Sequence, residues 1–314
     1  MDQPGAAVDR LLDARVRTAA FNWLSEQVGL YGDDVLPRGL LAQGFELDTF
    51  RVPLLGPQGI FKPKVLDVPL SLTTSPDSPY DDAFGEEDGL LHYRYRGSDP
   101  DHRDNRGMRE AMRLELPLAY FHGEVAGRYA AVWPVYIVRD DPGALTVAVA
   151  VDDKEHVIFS PERSDFRALY EDVDWGRRSY ITAEVRVRLH QRRFRERVLE
   201  AYRRQCAFCR LRHDELLDAA HIIPDRQLLG EPVVRNGLSL CALHHGAFDR
   251  NFVGLRPDYV IEVRPDILTE RDGPTLAHAI QGLHGQSIVL PRSIAQRPDR
   301  DRLALRYGQF REAS

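Results

Sequence analysis

The 314-residue chain contains three cysteines, and each stands in a short knuckle: Cys206 and Cys209 form CxxC, and Cys241 with His244 forms CxxH. Two such knuckles supply four soft or borderline donors, the set that closes a tetrahedral structural zinc site. A second histidine, His245, follows at once in LCALHHGAFD, with Asp249 four residues further on. Neighbours on a helix point about 100° apart, so His244 can face a zinc while His245 faces elsewhere. Residues four apart share a helix face, which groups His245 with Asp249.

The stretch between the knuckles is too long for a simple zinc finger and must hold structure of its own. DAAHIIP suits a short strand from Asp218 to Ile223 ended by Pro224, and VVRNGLSLC suits a tight turn at Asn236-Gly237 entering a strand with Leu238 and Leu240. HHGAFDRNF then opens as a helix. Two strands and a helix framed by zinc are expected.

These residues resemble the HNH endonucleases, with their ββα-metal fold, in the subgroup where CxxC pairs buttress the motif. AAHIIP carries the first His, RNGLSLC the Asn, and the second residue of HH the last His, over residues 195 to 262. The resemblance implies that His221 is the general base, that Asn236 orients it, and that His245 is a ligand of a catalytic divalent cation, Mg²⁺ or Mn²⁺. Many HNH motifs place Asp or His immediately before the base, where this chain has Ala220. Asp218, two residues earlier on the same strand face, is the expected replacement ligand, and Asp249 is its competitor.

The chemistry supports those roles independently. Phosphodiester hydrolysis needs a base to activate water and a cation to neutralise charge on the phosphate and the leaving oxygen. A neutral imidazole, with an unperturbed pKa of about 6.5, suits the base, and an amide such as Asn236 can fix its ring by hydrogen bonding.

The elements around the motif are legible from composition and periodicity. Apolar residues make up 43% of the chain and charged residues 29%, and no apolar run reaches a membrane span's length. The first 25 residues interleave Asp and Arg with apolar side chains, so they suggest an amphipathic helix and no export signal; a soluble, cytoplasmic protein is expected. The net charge is −6, yet Arg186 to Arg212 holds ten arginines against Glu196 and Glu200. That density points to phosphate contact, with Arg192 and Arg193 as candidates. RRFRERVLEAYRR within it reads as a helix with Phe194, Val198, Leu199 and Tyr202 on one side.

From about Phe45 the texture changes to short β-rich runs: TFRVPLL, LLHYRYRG, RYAAVWPVYIVRDD and LTVAVAVDD, with a brief helical NRGMREAMRLE. SPYDDAFGEEDGLLHYRYRGSDPDHRDNRGMREAM resembles the corresponding region of SRA domains, which flip a modified cytosine out of duplex DNA, through YDD, YRG and a later Asn before a helix. The family's glycine-rich loop after the Tyr is not reproduced. The resemblance implies Tyr80 and Tyr95 as stacking faces and Asp81 or Asp82 as acceptor for the cytosine amine. His102, Arg103 and Asn105 are an alternative DNA-facing loop. The tail suggests a helix at TLAHAIQGL and a strand at SIVLP.

The expected fold is α+β: a helical segment 1–44, a β-rich SRA/PUA-like DNA-reading domain 45–185, and a zinc-buttressed ββα-metal HNH domain with a C-terminal extension, 186–314. The expected function is a modification-dependent DNA endonuclease reading 5-methylcytosine or 5-hydroxymethylcytosine in double-stranded DNA. A double-strand cut from one active site per chain favours a homodimer. The alternatives are an HNH nuclease reading unmodified sequence or another modification, and a DNA-binding protein whose Ala220 marks a lost metal site.

Overall fold

A computed structural model describes residues 9–32, 34–76, 90–152, 157–160, 165–168, 175–225, 227 and 229–313. The chain divides into two compact units, Met1–Leu189 and His190–Ser314.

The first unit opens with α1 (Arg10–Tyr31), β1 (Val35–Pro37), α2 (Arg38–Gln43) and a small hairpin of β2 (Phe45–Leu47) and β3 (Phe50–Val52). It continues with β4 (Ile60–Phe61), β5 (Ser71–Thr74), β6 (Leu91–Arg94), α3 (Arg103–Arg113), β7 (Leu118–Val125), β8 (Arg128–Asp141) and β9 (Thr146–Val151). A further hairpin, β10 (Val157–Ser160) with β11 (Asp165–Ala168), precedes α4 (Trp175–Ala201). The main sheet has the order β4-β5-β7-β8-β9-β6, with β1 also paired to β8; β5 and β7 run parallel and the remaining pairs antiparallel.

The long β8 run RYAAVWPVYIV is apolar at successive positions because both faces of the sheet are covered. On one face Tyr120, Ala130 and Val132 pack with Met108 and Ala111 of α3 and with Val185 and Leu189 of α4. On the other, Phe121, Ala131 and Trp133 pack with Val16, Ala20 and Leu24 of α1 and with Leu41 of α2. All four β-rich runs named from the sequence contribute strands, and the NRGMREAMRLE helix is α3. The run from 154 to 190 reads as mixed in the sequence, followed by a helix over 192–204; instead α4 begins at Trp175 and runs unbroken to Ala201, into the arginine-rich stretch.

The second unit contains β12 (Leu217–His221), β13 (Gly237–Cys241), α5 (Ala242–Asp249), β14 (Val253–Leu255), β15 (Ile261–Val263), α6 (Pro265–Thr269), α7 (Pro274–Ala279) and α8 (Arg300–Glu312). β12 and β13 pair antiparallel with His221 opposite Gly237, and β14 pairs with β15. The C-terminal part of α4 lies against the β12–β13 hairpin through Phe194, Val198 and Leu199.

Two local expectations change. Asn236 ends a 3-10 turn, Val234–Asn236, and Gly237 has an extended φ of −126°, so no left-handed turn forms there. Gly237 is required by close approach instead: a Cβ would lie 2.4 Å from Val198 Cγ2 and 3.0 Å from the Phe194 ring. SIVLP forms no strand beyond the single bridge Ser287–Val260, because its backbone is engaged piecemeal, Ile288 N–H by Tyr259 and Val289 N–H by Ala207. The polar RPDRDR stretch leads into α8, capped by Asp299, whose Arg306 donates to the Phe248 and Asn251 oxygens at the end of α5.

One buried ion pair holds the first unit's helical layer to its sheet. Arg17 of α1 is 0% exposed and donates to Asp13 at 2.6 Å, to Pro117 O at 2.8 Å and to Pro69 O at 3.0 Å. It thereby satisfies carbonyls on the approaches to β7 and β5. Arg17→Ala leaves the Asp13 carboxylate buried without its partner and is expected to cost about 3–5 kcal/mol in denaturant unfolding of this unit. The double variant Asp13→Leu/Arg17→Met removes both charges and should recover most of that loss.

Candidate active site and metal centre

The cysteine knuckles converge. Sγ of Cys206, Cys209 and Cys241 and a ring nitrogen of His244 all lie within 4.8 Å of one another. Cys209 Sγ is 4.0 Å from Cys241 Sγ, and His244 Nδ1 is 3.4 Å from Cys206 Sγ and 3.2 Å from Cys241 Sγ. A tetrahedron with Zn–S bonds of about 2.3 Å and Zn–N bonds of about 2.0 Å has S···S edges of about 3.8 Å and S···N edges of about 3.5 Å. The donor set and its spacing are therefore compatible with structural zinc. His244 is 1% exposed and donates from Nε2 to Ala279 O at 2.7 Å, which fixes the tautomer that leaves Nδ1 for the cysteines.

Held this close, the thiols cannot ionise independently. Hydrogen bonds with Cys206 and then with Cys209 push Cys241 far down, and hydrogen bonds with Cys206 and Cys241 push Cys209 far up. Burial lowers His244, but its bonds to Cys206 and Cys241 outweigh that and raise it to about 10. A zinc ion held by these four residues would take the place of the protons that otherwise hold the cluster together.

The paired histidines diverge as helix geometry requires. Cys241 closes β13 and caps α5, His244 turns into the cluster, and His245 turns toward Asp218 and Asp249. His245 Nδ1 lies 3.1 Å from Asp218 Oδ2 and its Nε2 lies 3.3 Å from Asp249 Oδ2. The two carboxylates thus occupy opposite nitrogens of one ring. Among the described residues, only the Cys206, Cys209, Cys241 and His244 group brings three or more ligating side chains to a common point. The hydrogen bond that His245 donates to Asp218 raises His245 against its burial, with Asp249 adding to the rise. Asp218 has the converse balance: burial raises it, and the bonds from His245 and from the Ala219 N–H prevail and set it below the usual carboxylate range.

His221 ends β12 facing Phe194 of α4, their rings stacked at 4.1 Å and 20°. Its Nε2 is buried without a hydrogen-bond partner. Burial is the main force lowering its pKa; Asp225, Asp218 and Asp249 oppose the drop and His245 adds to it. These groups therefore share one electrostatic neighbourhood.

Asn236 does not touch the imidazole, which corrects the expectation that it fixes the ring directly. It is 0% exposed, its Oδ1 accepts from the Ile223 N–H at 2.9 Å, and its Nδ2 donates to Ile223 O at 2.9 Å and Glu231 O at 3.1 Å. It fastens the backbone that leaves His221, so any orientation it exerts passes through the loop.

Part of the arginine run is committed to the fold. Glu196, 0% exposed, binds Arg195 at 2.8 Å and Arg204 at 2.6 Å, and Arg195 also donates to the Asp214 and Leu217 carbonyls that lead into β12. Arg192 and Arg193 are half-buried and have partners in the chain, whereas Arg197, Arg203, Arg210 and Arg212 are exposed. Sequence reasoning named Phe194 only as an apolar helix position, and it missed Asp225 and Arg195; Asp225 was signalled only by standing just beyond HIIP.

In the first unit, Tyr80, Asp81 and Asp82 lie outside the described residues. Tyr95 is described and is not a free stacking face. It is 7% exposed within the core, its hydroxyl donates to Asp140, and it accepts from Arg109 at 3.4 Å. Its edge lines a cleft of about 290 Å³ with Gln58, Gly59, Thr74, Tyr93 and Arg96. His102 caps α3, and Asn105, fully buried, hydrogen-bonds the backbone of Arg96 and Asp99; only Arg103 of that alternative trio is exposed.

The cluster makes a metal-removal prediction. The purified chain should carry one zinc per molecule by elemental analysis, and Cys241→Ser should abolish that content. Stripping the metal should unfold the second unit, seen as lost amide protection across 206–256, because site formation and folding are one equilibrium.

Residues 206–256 match the HNH endonuclease family. No curated protein matches the chain in sequence. A solved structure similar to it is a modification-dependent TagI restriction endonuclease, at 16% identity and a TM-score of 0.27, covering 77% of this chain and 82% of that one. A superposition of that level leaves the architecture of the first unit to be judged on its own strands. With its paired strands, its helix and its cysteine cluster, the segment 206–256 is an HNH endonuclease domain.

Proposed function

We propose that the chain is a metal-dependent DNA endonuclease whose second unit hydrolyses phosphodiester bonds and whose first unit selects DNA carrying 5-methylcytosine or 5-hydroxymethylcytosine. The observation that carries the nuclease reading is the conjunction, within a matched HNH segment, of a desolvated His221 and an ion pair between exposed Asp218 and partly buried His245.

His221 is the base. Its Nδ1 takes the proton of the attacking water while the ring's other hydrogen stays on the buried Nε2. Asn236 holds the exit loop and so the end of β12. The donor set of Asp218 and His245, a carboxylate oxygen and an imidazole nitrogen, suits a divalent cation such as Mn²⁺ or Mg²⁺, and Asp218 is half exposed, which leaves room for water and phosphate oxygens. Asp249 competes from the opposite nitrogen. The cation, when bound, neutralises charge on the scissile phosphate and the leaving oxygen. The exposed Arg197, Arg203, Arg210 and Arg212 contact phosphates, with Arg192 and Arg193 flanking them.

Selection rests on the cleft beside Tyr93 and Tyr95, lined from the end of β5 and from β6; Tyr80, Asp81 and Asp82, which the SRA resemblance implies for it, lie outside the described residues. A flipped base needs an enclosed, partly aromatic site with polar groups for its edge, and this cleft supplies Tyr93, Gln58 and Thr74. A homodimer would place two such active sites on one duplex.

His221→Ala should lower cleavage by about 10²–10⁴-fold while DNA binding by anisotropy is retained; unchanged cleavage removes the assignment. The pH dependence has a defined sign. The neutral imidazole is the active form, and burial pulls its pKa below the ordinary value. The acid limb of kcat/KM should therefore fall below pH of about 6.5, leaving a plateau through neutrality. Incubating the protein with methylated, hydroxymethylated and unmodified plasmids in Mg²⁺ or Mn²⁺ separates the readings. Cleavage of modified DNA alone supports the selector, cleavage of all three makes the first unit a reader of something else, and no cleavage in either metal leaves a DNA-binding protein.

A further inference from the structure

We infer that Phe194 is a positioning residue for the base, clamping the plane of the His221 ring. This rests on the reading of His221 as the general base. A catalytic imidazole usually has its second nitrogen held by a carboxylate or a carbonyl, which sets both ring plane and tautomer. Among the described residues the buried Nε2 of His221 has no hydrogen-bond partner, and the side chain of Asn236 is fully occupied by backbone at Ile223 and Glu231. What touches the ring is the Phe194 face, at 4.1 Å between centroids and 20° between planes.

The clamp is itself held. Phe194 is 4% exposed, in the core of the second unit. Its ring rests over Gly237, the residue paired with His221 across the hairpin, and a Cβ at that position would meet Phe194 at 3.0 Å and Val198 at 2.4 Å. The glycine lets the helix approach closely enough for the aromatic ring to cover both members of the pair. A stack fixes ring tilt without occupying a nitrogen, so Nδ1 stays available to water while rotation about the Cβ–Cγ bond is blocked. An aliphatic side chain of similar volume would fill the same space but present no flat face.

The test compares the full-length variants Phe194→Leu, Phe194→Tyr and His221→Ala on methylated supercoiled plasmid in Mn²⁺. Phe194→Leu should lower kcat by about 10²-fold with KM unchanged, the size of a small misplacement of a reacting group, and Phe194→Tyr should restore it. In ¹H–¹³C spectra of histidine-labelled protein, the His221 ring resonance, identified by its loss in His221→Ala, should be shifted upfield by the stacked ring and move downfield in Phe194→Leu. A Phe194→Leu protein with wild-type kcat beside an inactive His221→Ala protein overturns the clamp and leaves the base assignment standing. A drop confined to thermal stability or KM overturns it also, since that is the signature of core packing alone. Full cleavage by His221→Ala overturns the base assignment itself.

Discussion

Four soft donors packed within 4.8 Å at the junction of β13 and α5 set the geometry on which the rest of the second unit depends. Cys241 ends the strand and caps the helix, so the cluster fixes the angle at which α5 leaves the hairpin. Cys206 and Cys209 bring in the knuckle, whose Ala207 N–H also donates to Ser239 O of β13 at 2.7 Å. His244 brings in α7 through Ala279 O. Knuckle, hairpin, helix and C-terminal extension therefore meet at one point. Once His244 is committed there, helix geometry dictates where His245 faces, and it faces Asp218 on the neighbouring strand.

His221 and His245, both outside the cluster, are driven in opposite directions by their surroundings. His221 loses water to Phe194 and the hairpin and is pushed toward its neutral form, while His245 gains Asp218 and Asp249 and is pushed toward its charged form. Groups of the same type whose environments separate their protonation states divide labour, one suited to accept a proton and the other to share its lone pair with a cation that replaces the proton. In the proposed function, two carboxylates on opposite nitrogens of His245 would give a bound cation a choice of partner. Asp218 sits on the strand that also carries His221, so a cation held there would lie on the same element as the proposed base.

Much of this was legible in the sequence because the chemistry is local. Cys-x-x-Cys, Cys-x-x-His and the (i, i+4) relation of His245 to Asp249 are spacings that one turn or one knuckle enforces, and β12, β13 and α5 fall where the strand and helix patterns put them. What was not legible depends on pairings between distant segments. Nothing in RRFRERV says that its Phe stacks on a histidine 27 residues later. Nothing in RNG says that the Asn will be consumed by backbone carbonyls or that the Gly answers a helix rather than a turn. Tyr95 shows the same limit in the first unit, where an aromatic that looked available is packed in the core and held through its hydroxyl by Asp140.

The arginine run shows how charge counted along a sequence overstates the field a ligand meets. Glu196 is buried and needs cationic partners, and Arg195 and Arg204 supply them from either side. Arg204 also reaches Asp214, and Arg195 caps the carbonyls of Asp214 and Leu217 at the entrance to β12. Those guanidiniums are spent on aligning the strand that carries His221. An Arg-to-Ala substitution at either position leaves a buried carboxylate short of a partner, so its effect on DNA cleavage would mix loss of strand alignment with loss of phosphate attraction. In the proposed function, the electrostatic contribution to DNA binding falls to the residues that remain in water, Arg197, Arg203, Arg210 and Arg212, whose charge is screened by salt and costs the fold little to remove.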